Sequence, residues 1–199
     1  MFSISKLFDR TPYIETERLI IRKMKRSDAQ DMFEYAKRED VTKYLFWAPH
    51  EDVAYTKNYL KQVNELYKKG ELYDFGVELK AEKKFIGTCG FANIDMPDFC
   101  GEIGYVINPE YAGNGYASEA ARALIRYGFE VMGLVRIEAR YMLGNDASRH
   151  VMEKCGMSFE GVLRKKLFVK DGNCDIGYCS ILKEEFVLRE TDRQKFTNI

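Results

Sequence analysis

Apolar side chains recur at three- and four-residue steps between Glu51 and Lys69. Tyr55, Tyr59, Leu60, Val63, Leu66 and Tyr67 share one helical face, and Gly70 follows. That spacing predicts an amphipathic helix that ends at the glycine. A shorter helix is predicted upstream, from Ser27 to Glu39, with Gln30 placed three residues after Ser27 as a capping box and Met32, Phe33 and Tyr35 as its apolar positions. Thr16–Arg22 (TERLIIR) reads as a first strand. Phe75–Leu79, Phe85–Ile94 and Glu102–Ile107 are rich in Val, Ile, Phe and Tyr and are split by turn-type segments, which predicts an antiparallel meander. After Pro109 the period returns to helical from Gly115 to Met132, with Ala120, Ala121, Leu124, Ile125 and Phe129 on one side. A strand Val135–Tyr141 and a short helix Asn145–Lys154 follow. Phe159–Val169 and Asp175–Leu182 form a hairpin across Lys170-Asp171-Gly172-Asn173, and the charged tail from Lys183 is expected to fray.

A strand–helix–strand crossover inside an otherwise antiparallel order predicts an α/β (α+β) fold. It is a mixed, mostly antiparallel sheet of about six or seven strands with about four helices. The chain of 199 residues, 46% hydrophobic, suits a single domain over 1–199, with its core at 16–182 and extensions at 1–15 and 183–199. Charge is balanced at 31 basic against 31 acidic residues, which gives no sign of a nucleic-acid partner. No apolar run is long enough to span a membrane, and Met1–Arg10 does not read as a signal peptide, so a cytoplasmic location is expected. Cys89, Cys100, Cys155, Cys174 and Cys179 are irregularly spaced, and His50 and His150 complete no zinc pattern. Structural thiols and no metal are expected.

The segment Asn108-Pro109-Glu110-Tyr111-Ala112-Gly113-Asn114-Gly115-Tyr116-Ala117 carries the chemistry. It leaves a strand and opens a helix. Gly113 and Gly115 permit a tight turn close to a ligand, and the N–H groups at the helix start, as far as Ser118, can hold an anion such as a pyrophosphate. A Walker A loop requires G-x-x-x-x-G-K-[ST], which is absent. A dinucleotide fingerprint requires Gly or Ala five residues after Gly113, where Ser118 stands.

The chain resembles the GNAT acetyltransferase superfamily, in particular its ribosomal-protein N-acetyltransferase branch. The resemblance rests on Thr16–Arg22, on Glu102-Ile103-Gly104-Tyr105, and on the Glu110–Gly115 loop, where Glu110 replaces the usual Gln or Arg. It rests also on Asn145-Asp146-Ala147-Ser148 followed by Met152–Met157. It implies transfer of an acetyl group from acetyl-CoA to a primary amine. It places CoA between splayed strands, its pantetheine arm beside Val106, Ile107 and Asn145 and its pyrophosphate on Asn108 and the stretch Gly113, Asn114, Gly115, Tyr116, Ala117 and Ser118.

An ammonium acceptor must lose a proton before it attacks a thioester. Glu102 opens the strand leading into the loop, where the family places a Glu, and is the candidate base; a solvent-facing strand Glu is the plain alternative. Many superfamily members carry a Tyr seven residues after the Asn. Met152 stands there and cannot donate a proton, so Ser148 is the candidate acid, or else a serine bonded to its own helix backbone. Asn145 can bond pantetheine, cap its helix, or do both. Tyr44 and Trp47, with Phe46 and His50 nearby, wall the acceptor site or pack beneath a loop. Cys155, without a His–acid partner, reads as a structural thiol. The acceptor stays open between a protein N-terminus and a small amine (polyamine, amino sugar, amino acid or antibiotic), as does the assembly state, a homodimer included. A non-catalytic acyl-CoA binding module is the alternative from another class of function.

Overall fold

Eight strands form one mixed sheet in the computed structural model, which describes residues 13–170 and 172–188. The strands are β1 (Ile14–Glu15), β2 (Leu19–Arg22), β3 (Asp74–Leu79), β4 (Lys84–Asp95), β5 (Cys100–Ile107), β6 (Arg136–Met142), β7 (Ser158–Val169) and β8 (Gly172–Leu182). The helices are α1 (Ala29–Ala36), α2 (Glu39–Thr42), α3 (Val53–Lys69), α4 (Tyr116–Glu130), α5 (Asp146–Lys154) and a short α6 over 183–188. Hydrogen-bonded neighbours follow the order β1-β2-β3-β4-β5-β6-β8-β7. The chain divides into two units, Met1–Ala92 with Gly104–Leu124, and Asn93–Ile103 with Ile125–Ile199. The expected α/β class holds, with one strand more than predicted. The segment Met1–Arg10 lies outside the described residues.

In the first unit β1, β2, β3 and β4 pair antiparallel in sequence. The additional strand arises because Thr16 makes a turn instead of starting β2. Its N–H donates to the Leu19 carbonyl at 2.9 Å and its Oγ1 accepts from the Leu19 N–H at 3.0 Å, which folds Ile14 back against Ile21. Leu19 and Ile21 alternate into the core with Val77, Phe85, Ile86 and Leu60, all 0–1% exposed. Each such side chain contributes about 1.5–3 kcal/mol on burial.

The predicted helix over 27–39 is broken. A 3₁₀ turn Arg26–Asp28 precedes α1, and Arg38 is extended before α2 begins. Ser27 and Gln30 form no capping box here. Asp28 does that work, accepting the Lys25 N–H at 2.7 Å, because Arg22 holds its carboxylate in place through contacts of 2.8 and 2.9 Å. The same guanidinium reaches Glu78 at 2.6 Å and so ties β2, the turn and β3 together. α3 begins at Val53, where Asp52 accepts the Tyr55 N–H at 2.6 Å, and Gly70 closes it.

In the second unit Cys100–Glu102 of β5 run parallel to Arg136–Glu138 of β6, and β6 pairs antiparallel with β8 as far as Met142↔Ile176. β7 and β8 form the expected hairpin, with Lys170 at its turn and Asp171 outside the described residues. Ile137, Ala139, Cys179 and Ile181 are fully buried. The tail does not fray at Lys183: residues 183–188 are helical. Glu185 accepts the Leu182 N–H at 3.0 Å, and Phe186 is buried with its ring 5.5 Å from that of Phe129. Phe186 is thus the buried anchor of a segment whose Val187 and Leu188 stay exposed. Among the described residues no helix is long and apolar enough to cross a membrane.

Candidate active site

β5 leads straight into the glycine loop of the first unit. Val106 and Ile107 are half-buried, while Asn108 is buried and turns the chain. Its N–H donates to the Ile86 carbonyl at 2.8 Å, and its Oδ1 accepts the Glu110 N–H at 3.1 Å, so one side chain caps the 3₁₀ turn Pro109–Tyr111. Asn114 donates its amide to the carbonyls of Tyr111 and Ala112, at 3.2 and 3.3 Å. Gly113 and Gly115 have φ of +80° and +81°, a region that costs L-residues energy. A methyl group on Gly113 would meet nothing within 4 Å, and one on Gly115 only Arg18 Nη2 at 3.6 Å. The surface over both glycines is therefore open, and α4 begins one residue later with Tyr116 and Ala117 half-buried and Ser118 buried. Helix-start N–H groups and the positive end of the α4 dipole face this cradle.

Arg18 of the TERL segment clamps the cradle. Its Nε donates to Glu119 at 2.7 Å, its Nη1 donates to the Asn114 carbonyl at 3.0 Å, and its guanidinium lies 4.5 Å above the Tyr116 ring. Glu119 completes the joint by accepting the Thr16 hydroxyl at 2.6 Å and the Arg18 N–H at 3.0 Å. Burial pushes the Glu119 carboxyl up, but the donors from Thr16 and Arg18 outweigh it and the net direction is down. Sequence reasoning used Arg18 and Thr16 only as part of a strand. Their partner lies about a hundred positions away, and no local pattern announces it.

The aromatic stretch is also in the first unit. Trp47, Tyr55 and Tyr59 surround His50, with ring centroids 5.3, 4.9 and 5.7 Å from it. The Thr56 hydroxyl lies 3.2 Å from the Asp52 carbonyl and 2.9 Å from His50 Nδ1. Burial lowers the His50 pKa. Tyr44 stands apart from this group, its ring beneath the Lys43 ammonium at 5.0 Å. Of the two predicted acceptor-wall residues, only Trp47 joins the His50 cluster.

The second unit holds Glu102, Asn145 and Ser148. Glu102 is the last β5 residue in the parallel pairing and sits opposite Glu138. Its side chain is 12% exposed, and Arg140 Nε lies 2.8 Å from its carboxylate. Burial raises its pKa; Arg140 lowers it and Glu138 raises it further, with a net upward direction. Arg136 holds Glu138 at 3.0 Å and also binds Glu160, which accepts the Ser180 hydroxyl at 2.7 Å, so a polar ladder backs Glu102 across β6, β8 and β7. Asn145 caps α5 by accepting the Ser148 N–H at 3.2 Å. Ser148 is half-buried in the first turn, whereas Met152 is 2% exposed and belongs to the core. A buried apolar residue at that position faces no solvent and cannot serve as an acid. Cys155 is buried at the end of α5, and none of the five cysteines is in a disulfide.

Residues 18–158 match the family described as the acetyltransferase (GNAT) domain. An uncharacterized N-acetyltransferase, p20, of Bacillus licheniformis is 36% identical over 171 residues, covering 86% of this chain and 96% of that one. The ribosomal protein uS5-alanine N-acetyltransferase of Escherichia coli is 30% identical over 164 residues, covering 78% and 83%. The crystal structure of a GNAT-family acetyltransferase from Bacillus anthracis is 36% identical and superposes with a TM-score of 0.76 over 86% of this chain and 98% of that one. This chain belongs to the GNAT family of N-acetyltransferases.

Proposed function

We propose that residues 16–182 act as one catalytic domain that binds acetyl-CoA on the Gly113–Ser118 cradle and acetylates a primary amine with Glu102 as general base. The cradle carries this reading: two open glycines in the left-handed region sit directly before a helix, locked by Arg18 and Glu119. The pyrophosphate accepts from the N–H groups there, and Asn108 and Asn114 hold the loop in shape. Val106 and Ile107 offer backbone groups to the pantetheine arm, as does Asn145, whose Oδ1 remains occupied by its own helix cap.

The amine reaches the site protonated and passes a proton to the Glu102 carboxylate, directly or through a water. A carboxylate whose pKa is raised by burial is a better proton acceptor than an exposed one, and Arg140 offsets part of that rise in favour of the ionised form. The neutral nitrogen adds to the thioester carbonyl, the nitrogen of the tetrahedral adduct sheds its second proton to solvent, and the oxyanion collapses to expel the CoA thiolate. Protonation of that thiolate falls to Ser148 or to solvent. A thiol pKa near 8.5 makes it a fair leaving group, so the acid contributes less than the base.

The test is calorimetry with CoA, then thiol release with acetyl-CoA and a panel of amines, with the acetylated product identified by mass. CoA binding without thiol release from any amine or from a cell extract would leave an acyl-CoA binding module. Acceptors of the protein N-terminal class are favoured by the 30% identity to the uS5-alanine enzyme.

Two variants probe the parts. Arg18→Ala should raise the KM for acetyl-CoA severalfold with kcat little changed. Arg18 is 42% exposed, so its ion pair with Glu119 should cost less than about 1 kcal/mol of stability. A melting curve and an acetyl-CoA titration on one preparation check both, and an unchanged KM would limit the clamp to a role in folding. Ser148→Ala should leave kcat within a few-fold of wild type at pH 7. If Ser148 is the acid, its deficit grows towards pH 9, where water supplies protons less readily, and a flat pH–rate profile assigns the proton to solvent.

A further inference from the structure

Glu102 shares one face of the second unit with Arg136, Glu138, Arg140 and Glu160. On β6 the alternate residues Arg136, Glu138 and Arg140 point the same way, and the parallel register sets Glu138 directly across from Glu102. Two carboxylates opposed across a ladder repel, and each favours the protonated form of the other. The two guanidiniums beside them divide the work. Arg136 binds Glu138 through Nε and Nη2, at 3.3 and 3.0 Å, and Glu160 of β7 through Nη1 and Nη2, at 2.7 and 2.5 Å. Its Nη1 also donates to the Ser180 hydroxyl at 3.0 Å. Arg140 stands against Glu102, with Nε 2.8 Å from the carboxylate.

Glu138 has a guanidinium two residues away on either side along β6. If it turned to Arg140, Glu102 would share its cation with the carboxylate opposite it. The contacts of Arg136 draw Glu138 the other way. We propose that Arg140 is a positioning residue that keeps Glu102 in its proton-accepting form, and that Arg136 secures this by holding Glu138 to itself. The effect on turnover rests on Glu102 being the base; the effect on the carboxylate does not.

The charges that act on Glu102 are both on β6: burial pushes its carboxyl up, Arg140 opposes the rise and Glu138 adds to it. Glu160 is held down to about 2, chiefly by Arg136, so it stays ionised and keeps its hold on that guanidinium. The other titratable groups near this face are Cys100, opposite Arg136 and acted on by Asp95 and Asp98, and Tyr178, opposite Arg140 on β8. The signs follow. Loss of the Arg140 charge raises the Glu102 carboxyl and loss of the Glu138 charge lowers it. Loss of Arg136 raises it by releasing Glu138.

Carboxyl-labelled glutamate followed by carbon NMR in the full chain, without acetyl-CoA, reports Glu102 as the resonance missing from Glu102→Gln. Arg140→Met should move its titration midpoint up by about one pH unit or more, and Arg140→Lys should restore most of the change. Glu138→Gln should move it down. Arg136→Met should move it up, and Glu138→Gln in the same chain should cancel that rise, the coupling expected if Arg136 acts through Glu138. The acid limb of kcat/KM, which reports the essential base of the free enzyme, should shift in the same directions with the KM for acetyl-CoA unchanged. A midpoint that stays put in a folded Arg140→Met protein overturns the role of Arg140. Shifts of the same sign in Arg140→Met and Glu138→Gln, with lowered melting temperatures, mark a loosened fold and overturn it too. If Arg140→Met does not fold, the isosteric Glu138→Gln decides, and a midpoint that fails to drop overturns the arrangement. A rise in Arg136→Met that survives Glu138→Gln removes Arg136 from it. Midpoints that move as stated while the acid limb stays fixed would defeat the reading of Glu102 as the base alone, since the NMR titration is decided without turnover.

Discussion

Glu102→Gln is expected to lower kcat about a hundred- to ten-thousand-fold at neutral pH, the usual contribution of a general base, with the KM for acetyl-CoA nearly unchanged. Gln keeps the shape of the side chain, but it cannot take a proton. The deficit should narrow as the pH rises, because a growing fraction of the amine is then neutral without help. Folding should not suffer. The Glu102 pKa is raised by burial, which means that the ionised carboxylate is less favourable in the fold than in the unfolded chain, even with Arg140 beside it. For a raised acid, stability falls as the pH climbs through the folded pKa. A neutral isostere should therefore match or exceed the wild-type melting temperature at pH 8. The pair of outcomes, lost turnover with retained or improved stability, separates a catalytic Glu102 from a strand residue that only balances Arg140. Turnover within about twofold of wild type at pH 7 would move the base elsewhere.

Local patterns were enough for much of the scaffold. The three- and four-residue repeat of α3, its closing Gly70, and the strands β3, β4 and β5, the first two paired antiparallel and the third next in the sheet, follow from side-chain periodicity alone. The cradle was legible for the same reason, since Gly113 and Gly115 must tolerate φ that other residues resist. What escaped depends on partners far along the chain. Ser27 and Gln30 fit a capping box as text, yet Arg22 delivers Asp28 to that duty. The tail from Lys183 is polar enough to fray, yet Phe186 finds Phe129. Arg18 reads as one strand residue until Glu119 stands beside it. None of these pairings is encoded within a window of a few residues, because each is a property of the packed environment.

Gly115→Val is expected to weaken CoA binding about ten- to a hundredfold, the loss of one charged hydrogen bond or so from the pyrophosphate. Two causes act at once. The φ of +81° is strained for any L-residue and worst for a β-branched one, and the new side chain would stand over the surface where helix-start N–H groups are exposed. Packing is not the cause, since a Cβ at this position meets only Arg18 Nη2, at an ordinary 3.6 Å. Gly133 supplies the control. Its φ is +75°, and a Cβ there would meet nothing within 4 Å, but it lies beyond the end of α4, away from the cradle at the helix start. Gly133→Val should therefore pay a comparable backbone penalty, of order 1–2 kcal/mol in stability, and keep its affinity for CoA. Calorimetry with CoA and melting curves on both variants distinguish strain from site. Equal losses of CoA affinity in the two would trace the effect to a loosened fold. Loss in Gly115→Val alone, at matched stability, ties the anion to the cradle. Wild-type affinity in a folded Gly115→Val protein would remove the pyrophosphate from this loop altogether.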